Sequence, residues 1–471
     1  MSKANKAKDL SINTLLFTIS NFGTKIISFL LVPLYTYVLS TKDYGKLDLV
    51  TTTVQLLVPI LTLNIQDAVL RYCLDKEYNP LQVVKTGLRV AVVSSVILGL
   101  GLLLVYSLPV FKLSIMYSVY LYFLFIANVF NNTLSMYLKA VNKVKLLVVC
   151  GLLNTLLTCS LNIILLLVIK LGVLGYLIAN ISGTMFSIIL MMLGSGLLKE
   201  KTDQIPKGLF KSMSLYSLPL VANSVAWWLN NASDRYILAF FCGAAVNGIY
   251  AVAYKIPTIL STVQSVFYNA WSISAITEFD EDDTDGFIGN VYMTYSCVSL
   301  VGCSILLIFN MFLARILYAK EFFAAWQFVP PLLVGTVFNG IALFEGCIFT
   351  AVKNTKSVSI TTILGAIVNT ICNFALIPFI GALGASIATM VGYIAIWIIR
   401  TVQMNKIIKI KAQWNAQIMG MIMLIFQCVI ALVFKQFYWQ LPIAILVVIS
   451  HKSYLEKVFA IVKRKMIKEK L

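Results

Sequence analysis

Charge is scarce in this chain. Asp, Glu, Lys and Arg together make up only 12% of 471 residues. Soluble domains carry about 25% charged residues, so a water-soluble globule is excluded. Nine cysteines are scattered through apolar stretches without one C-x-x-C pair, which argues for packing and against a metal or redox centre. The sole histidine, His451, sits where the last hydrophobic stretch meets a basic tail and reads as a surface residue. No polar connection is long enough to fold as an extramembrane domain, and no cleavable leader is evident before the first apolar stretch.

What the chain has is hydrocarbon. Apolar residues make up 60% and the mean hydropathy is +0.89. Fourteen blocks long enough to cross a bilayer begin near residues 11, 48, 82, 114, 146, 173, 212, 248, 288, 327, 358, 383, 415 and 437; the last is short, so thirteen spans are also possible. The reading is an all-α integral membrane protein. The net charge of +18 does not point to nucleic acid, because Lys and Arg cluster at block ends. Twenty-five basic residues, Arg400 among them, fall on the side of the N-terminus and even loops against seven on the other, which predicts that both termini are cytoplasmic. The acidic stretch EFDEDDTDG at 278–286 reads as a solvated cytoplasmic loop.

The chain also repeats itself. GVLGYLIANISG (172–183) matches GALGASIATMVG (381–392) at six of twelve positions. Upstream, Ala140-Val141, Lys145 and Asn162 match Ala351-Val352, Lys356 and Asn373. Six spans per repeat predict two like-oriented lobes, 1–205 and 206–411, followed by two helices and a basic cytoplasmic tail over 412–471. The site is expected between the halves.

Polar residues inside the spans mark that site. Serine, asparagine and charge interrupt the seventh block, where Asn223, Trp227, Asn230 and Asp234 form one helical stripe and Ser217, Ser224, Asn231 and Arg235 the next. A charge at membrane depth costs about 2.5–3.5 kcal/mol on insertion scales, so such residues face a cavity or a partner. The first block carries Thr14, Thr18, Asn21, Lys25 and Ser28 on one stripe; the eighth carries Lys255, Thr258, Thr262, Ser265 and Asn269 beside Tyr250, Tyr254, Pro257, Ser261, Gln264 and Tyr268. Lys25, Arg235, Lys255, Asn21, Asn231, Tyr254 and Gln264 are therefore the expected substrate-binding lining. Asp234, Glu345 and Asp67 are candidate ion-coupling or counter-ion acids. Cationic groups suit phosphate, and aromatic rings suit sugars.

With those residues placed, the chain resembles the Wzx-type oligosaccharide flippases, the O-antigen and polysaccharide biosynthesis transport proteins of the superfamily that includes MATE exporters and lipid II flippases. The resemblance rests on DYG (43–45), KAVNKVK (139–145), LGVLGYLIAN (171–180), YSLPL (216–220), SDRYIL (233–238), NGIYAVAYKIP (247–257) and FYNAW (267–271). It implies a MATE-like fold of two six-helix lobes plus two helices, in the bacterial plasma membrane. The implied substrate is an undecaprenyl-diphosphate-linked oligosaccharide, moved by alternating access for surface polysaccharide assembly, with Lys25 and Lys255 toward the diphosphate. No cofactor is implied, and a proton gradient, a sodium gradient or the membrane potential could drive the cycle. Membrane lipid surrounds the protein, a monomer is expected, and glycan polymerase and ligase machinery would work beside it. A MATE-type multidrug antiporter is the alternative, although it predicts an acid-dominated cavity. A membrane glycan polymerase would need catalytic acids or bases, commonly on a large external loop, and neither is found.

Overall fold

The computed structural model describes residues 23–75, 77–107, 114–197, 205–434 and 437–456. Its regular structure is helical, with no strand among the described residues. In hydrocarbon every backbone N–H must bond within its own segment, and a helix does this for a lone span. The helices are α1 (Gly23–Val38), α2 (Thr41–Leu61), α3 (Ile65–Cys73), α4 (Pro80–Ser107), α5 (Ile115–Ala140), α6 (Val144–Ile163) and α7 (Val173–Ser195). They continue with α8 (Leu209–Cys242), α9 (Ala244–Ala253), α10 (Lys255–Thr277), α11 (Phe287–Leu317), α12 (Val329–Ala351), α13 (Thr355–Met404), α14 (Trp414–Val433) and α15 (Leu441–Ser450).

Eight of the described helices are long and apolar enough to cross a membrane, or nine if α2 and α3, bent by 56°, form one broken span. The polar stripes keep α8 and α10 out of that count. The eleventh and twelfth blocks run together as the 50-residue α13, which is broken at Gly381. Large apolar side chains lie bare along the helices, with Phe379 85% and Phe240 82% exposed. Contiguous exposure of this kind is tolerated only where the surroundings are themselves hydrocarbon. The protein is a multi-pass membrane protein.

Two compact units are present, Met1–Ala232 and Ser233–Leu471, and the boundary falls inside α8. In the first, Ile65, Val69, Val83, Leu134, Leu138 and Met213 form a core. Ser40 caps α2 by accepting from Asp43 N (3.1 Å), and Asp43 Oδ1 accepts from Tyr117 Oη (2.9 Å), which is the structural role of the DYG motif. In the second unit, α12 is buried along most of its length, and Trp271 stacks on its Phe344 at 4.1 Å between ring centroids.

The internal repeat is visible in the packing of each unit. A Cβ on Gly183 would run into Thr158 and Asn154; one on Gly392 would meet Asn369 Cβ at 2.9 Å and Gly365 O at 3.2 Å. Those contacts occupy matching positions of the two repeats. Asn162 and Asn373, which also correspond, are both fully buried.

Three expectations are corrected. His451 is buried, not on the surface: its Nδ1 lies 2.9 Å from Ser450 Oγ and 3.1 Å from Val447 O. It fills the space left by Gly420, where a Cβ would stand 2.6 Å from the imidazole Cε1. Nor is the acidic loop merely solvated. Asp283 is fully buried and accepts from Ile288 N, Gly289 N and Lys411 N at 3.0–3.1 Å, so it ties the start of α11 to the segment before α14. Arg400, counted among the loop charges, is 2% exposed inside the second unit.

Candidate functional site

The second unit gathers a polar cluster where α8, α9 and the second arm of α13 meet. Asp234 is 2% exposed. Its Oδ2 accepts from Tyr250 Oη at 2.6 Å, from Tyr254 Oη at 3.0 Å and from Thr389 Oγ1 at 3.4 Å. Its Oδ1 accepts from Arg235 N at 2.8 Å. The arrangement follows from local geometry. Tyr250 and Tyr254 lie one turn apart on a helical face, so their rings stack edge to face at 5.3 Å and both hydroxyls reach one carboxylate oxygen. Thr389 lies eight residues beyond Gly381, whose break starts the second arm of α13.

Amides extend the cluster. Asn369 Nδ2 donates to Thr389 Oγ1 (3.4 Å) and Asn373 Nδ2 donates to Asn369 Oδ1 (2.9 Å), which leaves the buried Asn373 Oδ1 without a partner. One carboxylate, three hydroxyls and two amide carbonyls thus form a water-poor array of oxygen atoms. Hard monovalent cations and protons suit such a set; soft metals do not.

Beside this array is a cationic edge. The Arg235 guanidinium lies over the Tyr254 ring, 5.0 Å from Cζ to the centroid, where the ring face attracts it. Arg235 and Lys255 are both half-buried, on the helices that flank Tyr254. Along α10 the hydroxyls of Thr258 and Thr262 donate to the carbonyls of Tyr254 (2.8 Å) and Thr258 (2.6 Å), four residues back, leaving their lone pairs as acceptors.

The structure therefore brings together Asp234, Arg235 and Tyr254, while Lys255 follows Tyr254 as the first residue of α10. Others stand apart. Lys25 is exposed on α1, in the first unit, and Asn21 lies outside the described residues. Asn231 is exposed and donates to Trp227 O (2.8 Å). Gln264 lines an apolar groove of about 480 Å³ with Leu260, Phe267, Val298 and Ile305, and donates weakly to Ser299 Oγ at 3.4 Å. Asp67 accepts from Asn64 Nδ2 (2.6 Å) at the break between α2 and α3, where Asn64 has a left-handed backbone (φ 54°). That contact accounts for Asp67 as a joint in the chain. Glu345 is fully buried in a separate network: its Oε1 accepts from Tyr292 Oη (3.0 Å) and Thr401 Oγ1 (2.7 Å).

Sequence reasoning missed Thr389 and Asn369. Each is one hydroxyl or amide in an apolar block, a weak signal on its own. The matching offset of Asn162 and Asn373 was the one available pointer to that wall of the cluster.

A helical bundle with this bare apolar surface and a buried charged cluster belongs to the class of polytopic membrane proteins. The family model for polysaccharide biosynthesis proteins matches residues 10–272, more than half of the chain, and the protein belongs to that family. Its fold is shared with solved transporters of the MOP superfamily. The chain is similar to a lipid II flippase, MurJ, in an inward closed conformation: 15% identity, TM-score 0.68, 95% of this chain and all of the other covered. It is also similar to an inward-facing multidrug resistance MATE transporter of the MOP superfamily: 13% identity, TM-score 0.59, 82% and 96% covered. A third likeness is to a MOP superfamily transporter from Pyrococcus furiosus, described as having a binding pocket of reversed polarity: 14% identity, TM-score 0.53, 85% and 96% covered. No curated protein sequence matches.

Proposed function

We propose that this protein is a flippase of the bacterial plasma membrane that moves undecaprenyl-diphosphate-linked oligosaccharide units outward by alternating access, with both termini in the cytoplasm. The observation that carries the reading is the Arg235 guanidinium seated on the Tyr254 ring at the edge of the buried Asp234 cluster, with Lys255 half-buried at the next position of the chain. Guanidinium and ammonium groups fit a diphosphate, and the tyrosine face fits a sugar ring. Membership of the polysaccharide biosynthesis family supports the glycan part of the substrate. No bond is made or broken, so no catalytic residue or cofactor is assigned. A glycan polymerase and ligase would act on the delivered unit.

Asp234 is the coupling acid in this reading. Its carboxylate is held by hydroxyls, and a proton or sodium ion entering the oxygen array would loosen Tyr254 and with it the seat of Arg235. The test is genetic. Deletion should trap lipid-linked oligosaccharide on the cytoplasmic leaflet, and Arg235→Ala with Lys255→Ala should fail to release it at normal expression. Rescue by that double variant would remove the phosphate reading. Drug sensitivity with intact surface glycan would favour the antiporter instead.

A further inference from the structure

Glu345 lies outside the Asp234 cluster, and no step above uses it. It is fully buried in α12, in the last turns of a membrane-spanning helix, and makes no ion pair among the described residues. Its Oε1 accepts two hydroxyl bonds; its Oε2 has no partner. Arg400 is satisfied without it. Arg400 donates through Nη1 to Ala342 O (2.6 Å), through Nη2 to Val358 O (3.2 Å) and Thr362 Oγ1 (3.0 Å), and through Nε to Thr361 Oγ1 (3.0 Å). Gly346 permits this approach, because a Cβ there would stand 3.2 Å from Nη1.

The groups that could answer a charge on Glu345 are few. Tyr292 on α11 donates to it, and Arg400 on α13 acts on it through space. Cys347 on α12 itself and Tyr268 on α10 interact with that same arginine. The facing group on α14 is Gln417, which does not titrate. A carboxylate here would carry a full charge with one oxygen bare, whereas a carboxylic acid leaves a single neutral O–H.

Gln417 gives the site its consequence. Its Nε2 donates to Tyr292 Oη at 2.8 Å, so a directed chain runs from α14 through the tyrosine to the Glu345 oxygen. The other amide atom, Gln417 Oε1, is buried without a partner. The chain is the polar tie of α14 to α11 and α12 at this level of the second unit.

We infer that Glu345 is a proton-binding site, neutral in this conformation, whose proton controls how firmly the start of α14 is held on α11 and α12. Loss of the proton to water leaves a carboxylate that draws in solvent or the Arg400 guanidinium. Either change takes Tyr292 away from Gln417 and loosens the first turns of α14, while Gln427 keeps the rest of the helix bonded to Ser304 on α11. The site is distinct from the coupling acid proposed above, and its readouts need no substrate. They therefore stand or fall apart from the flippase reading.

The test combines infrared spectroscopy with hydrogen exchange on the full chain in lipid nanodiscs, at neutral and alkaline pH. The wild type should show a protonated-carboxyl band at neutral pH that Glu345→Gln removes. Exchange of the amides in the first turns of α14, corrected for intrinsic rate, should rise about tenfold at alkaline pH in the wild type, as expected for local opening. In Glu345→Gln, an isostere that keeps the acceptor for Tyr292, it should stay slow at both. Tyr292→Phe should keep the band but exchange fast at both pH values. A band unchanged by Glu345→Gln overturns the inference, as does wild-type pH dependence of α14 in that variant.

Discussion

Gly172 and Gly381 hold the same backbone conformation, φ 56° with ψ −128° and φ 57° with ψ −135°. They are matching residues of the two repeats, and each starts the helix that carries its repeat motif. An L-residue pays about 1–3 kcal/mol in that region of backbone space. Neither site is crowded: nothing lies within 4 Å of a Cβ on Gly172, and on Gly381 the nearest atom is Cys242 Sγ at 3.8 Å. Alanine at either position should therefore lower the melting temperature in detergent through backbone strain alone. The two losses should be similar and additive. A neutral Gly381→Ala would show that the break in α13 is not set by the glycine.

Much of the fold was legible because hydrocarbon enforces it. Block lengths, the repeat and the polar stripe of α8 all follow from the expense of bare polar groups in lipid. What stayed hidden are interactions whose partners lie far apart in sequence. Thr389 looks like any threonine until the break at Gly381 turns it toward Asp234, 155 residues away. His451 looked solvated because a basic tail follows it, yet the gap at Gly420 receives its ring. Arg400 reads as a loop cation because it sits at a block end. Its guanidinium instead turns inward to carbonyls of α12 and α13.

The Asp234 cluster makes a graded prediction. Tyr250→Phe removes the shortest bond to the carboxylate without changing shape, and should cost about 1–3 kcal/mol as an acceptor loses its donor. Tyr254→Phe should cost less stability, since its bond is longer at 3.0 Å, but more transport, because its ring also seats Arg235. Asp234→Asn should fold and fail to transport. Thermal melts beside a lipid-linked-oligosaccharide flipping assay in proteoliposomes separate the two effects. Equal transport defects in both tyrosine variants would argue against a special role for Tyr254.

The clasp at 278–286 predicts an acid response. Asp280 accepts from Thr284 Oγ1 (2.5 Å) and Thr284 N (2.7 Å), and these bonds hold its carboxyl below the ordinary value of 3.8. The folded state thus binds the proton less tightly than the unfolded chain. The contribution is complete above about pH 4 and is lost as pH falls through the lowered folded value. Thr284→Val should weaken the clasp at neutral pH and leave less to lose in acid. Proteolysis of the loop, followed from pH 7 down to pH 3, should find the variant cut readily throughout and the wild type only at the acid end.

Arg400 should prove the least replaceable cation of the second unit. Four of its five N–H groups reach two carbonyls and two hydroxyls in a fixed fork. Lysine offers three donors from one atom and cannot span them, so Arg400→Lys should lose on the order of 3 kcal/mol, the range seen when a buried charge is stripped of partners. Arg400→Met removes the charge together with its donors and leaves Ala342 O and Val358 O bare. Because a neutral side chain of similar length also removes the cost of burying a charge, it should destabilise no more than lysine does. Urea or thermal unfolding in detergent, read by loss of tryptophan fluorescence, ranks the three proteins. If lysine matches the wild type, the fork is not what keeps a guanidinium at this position.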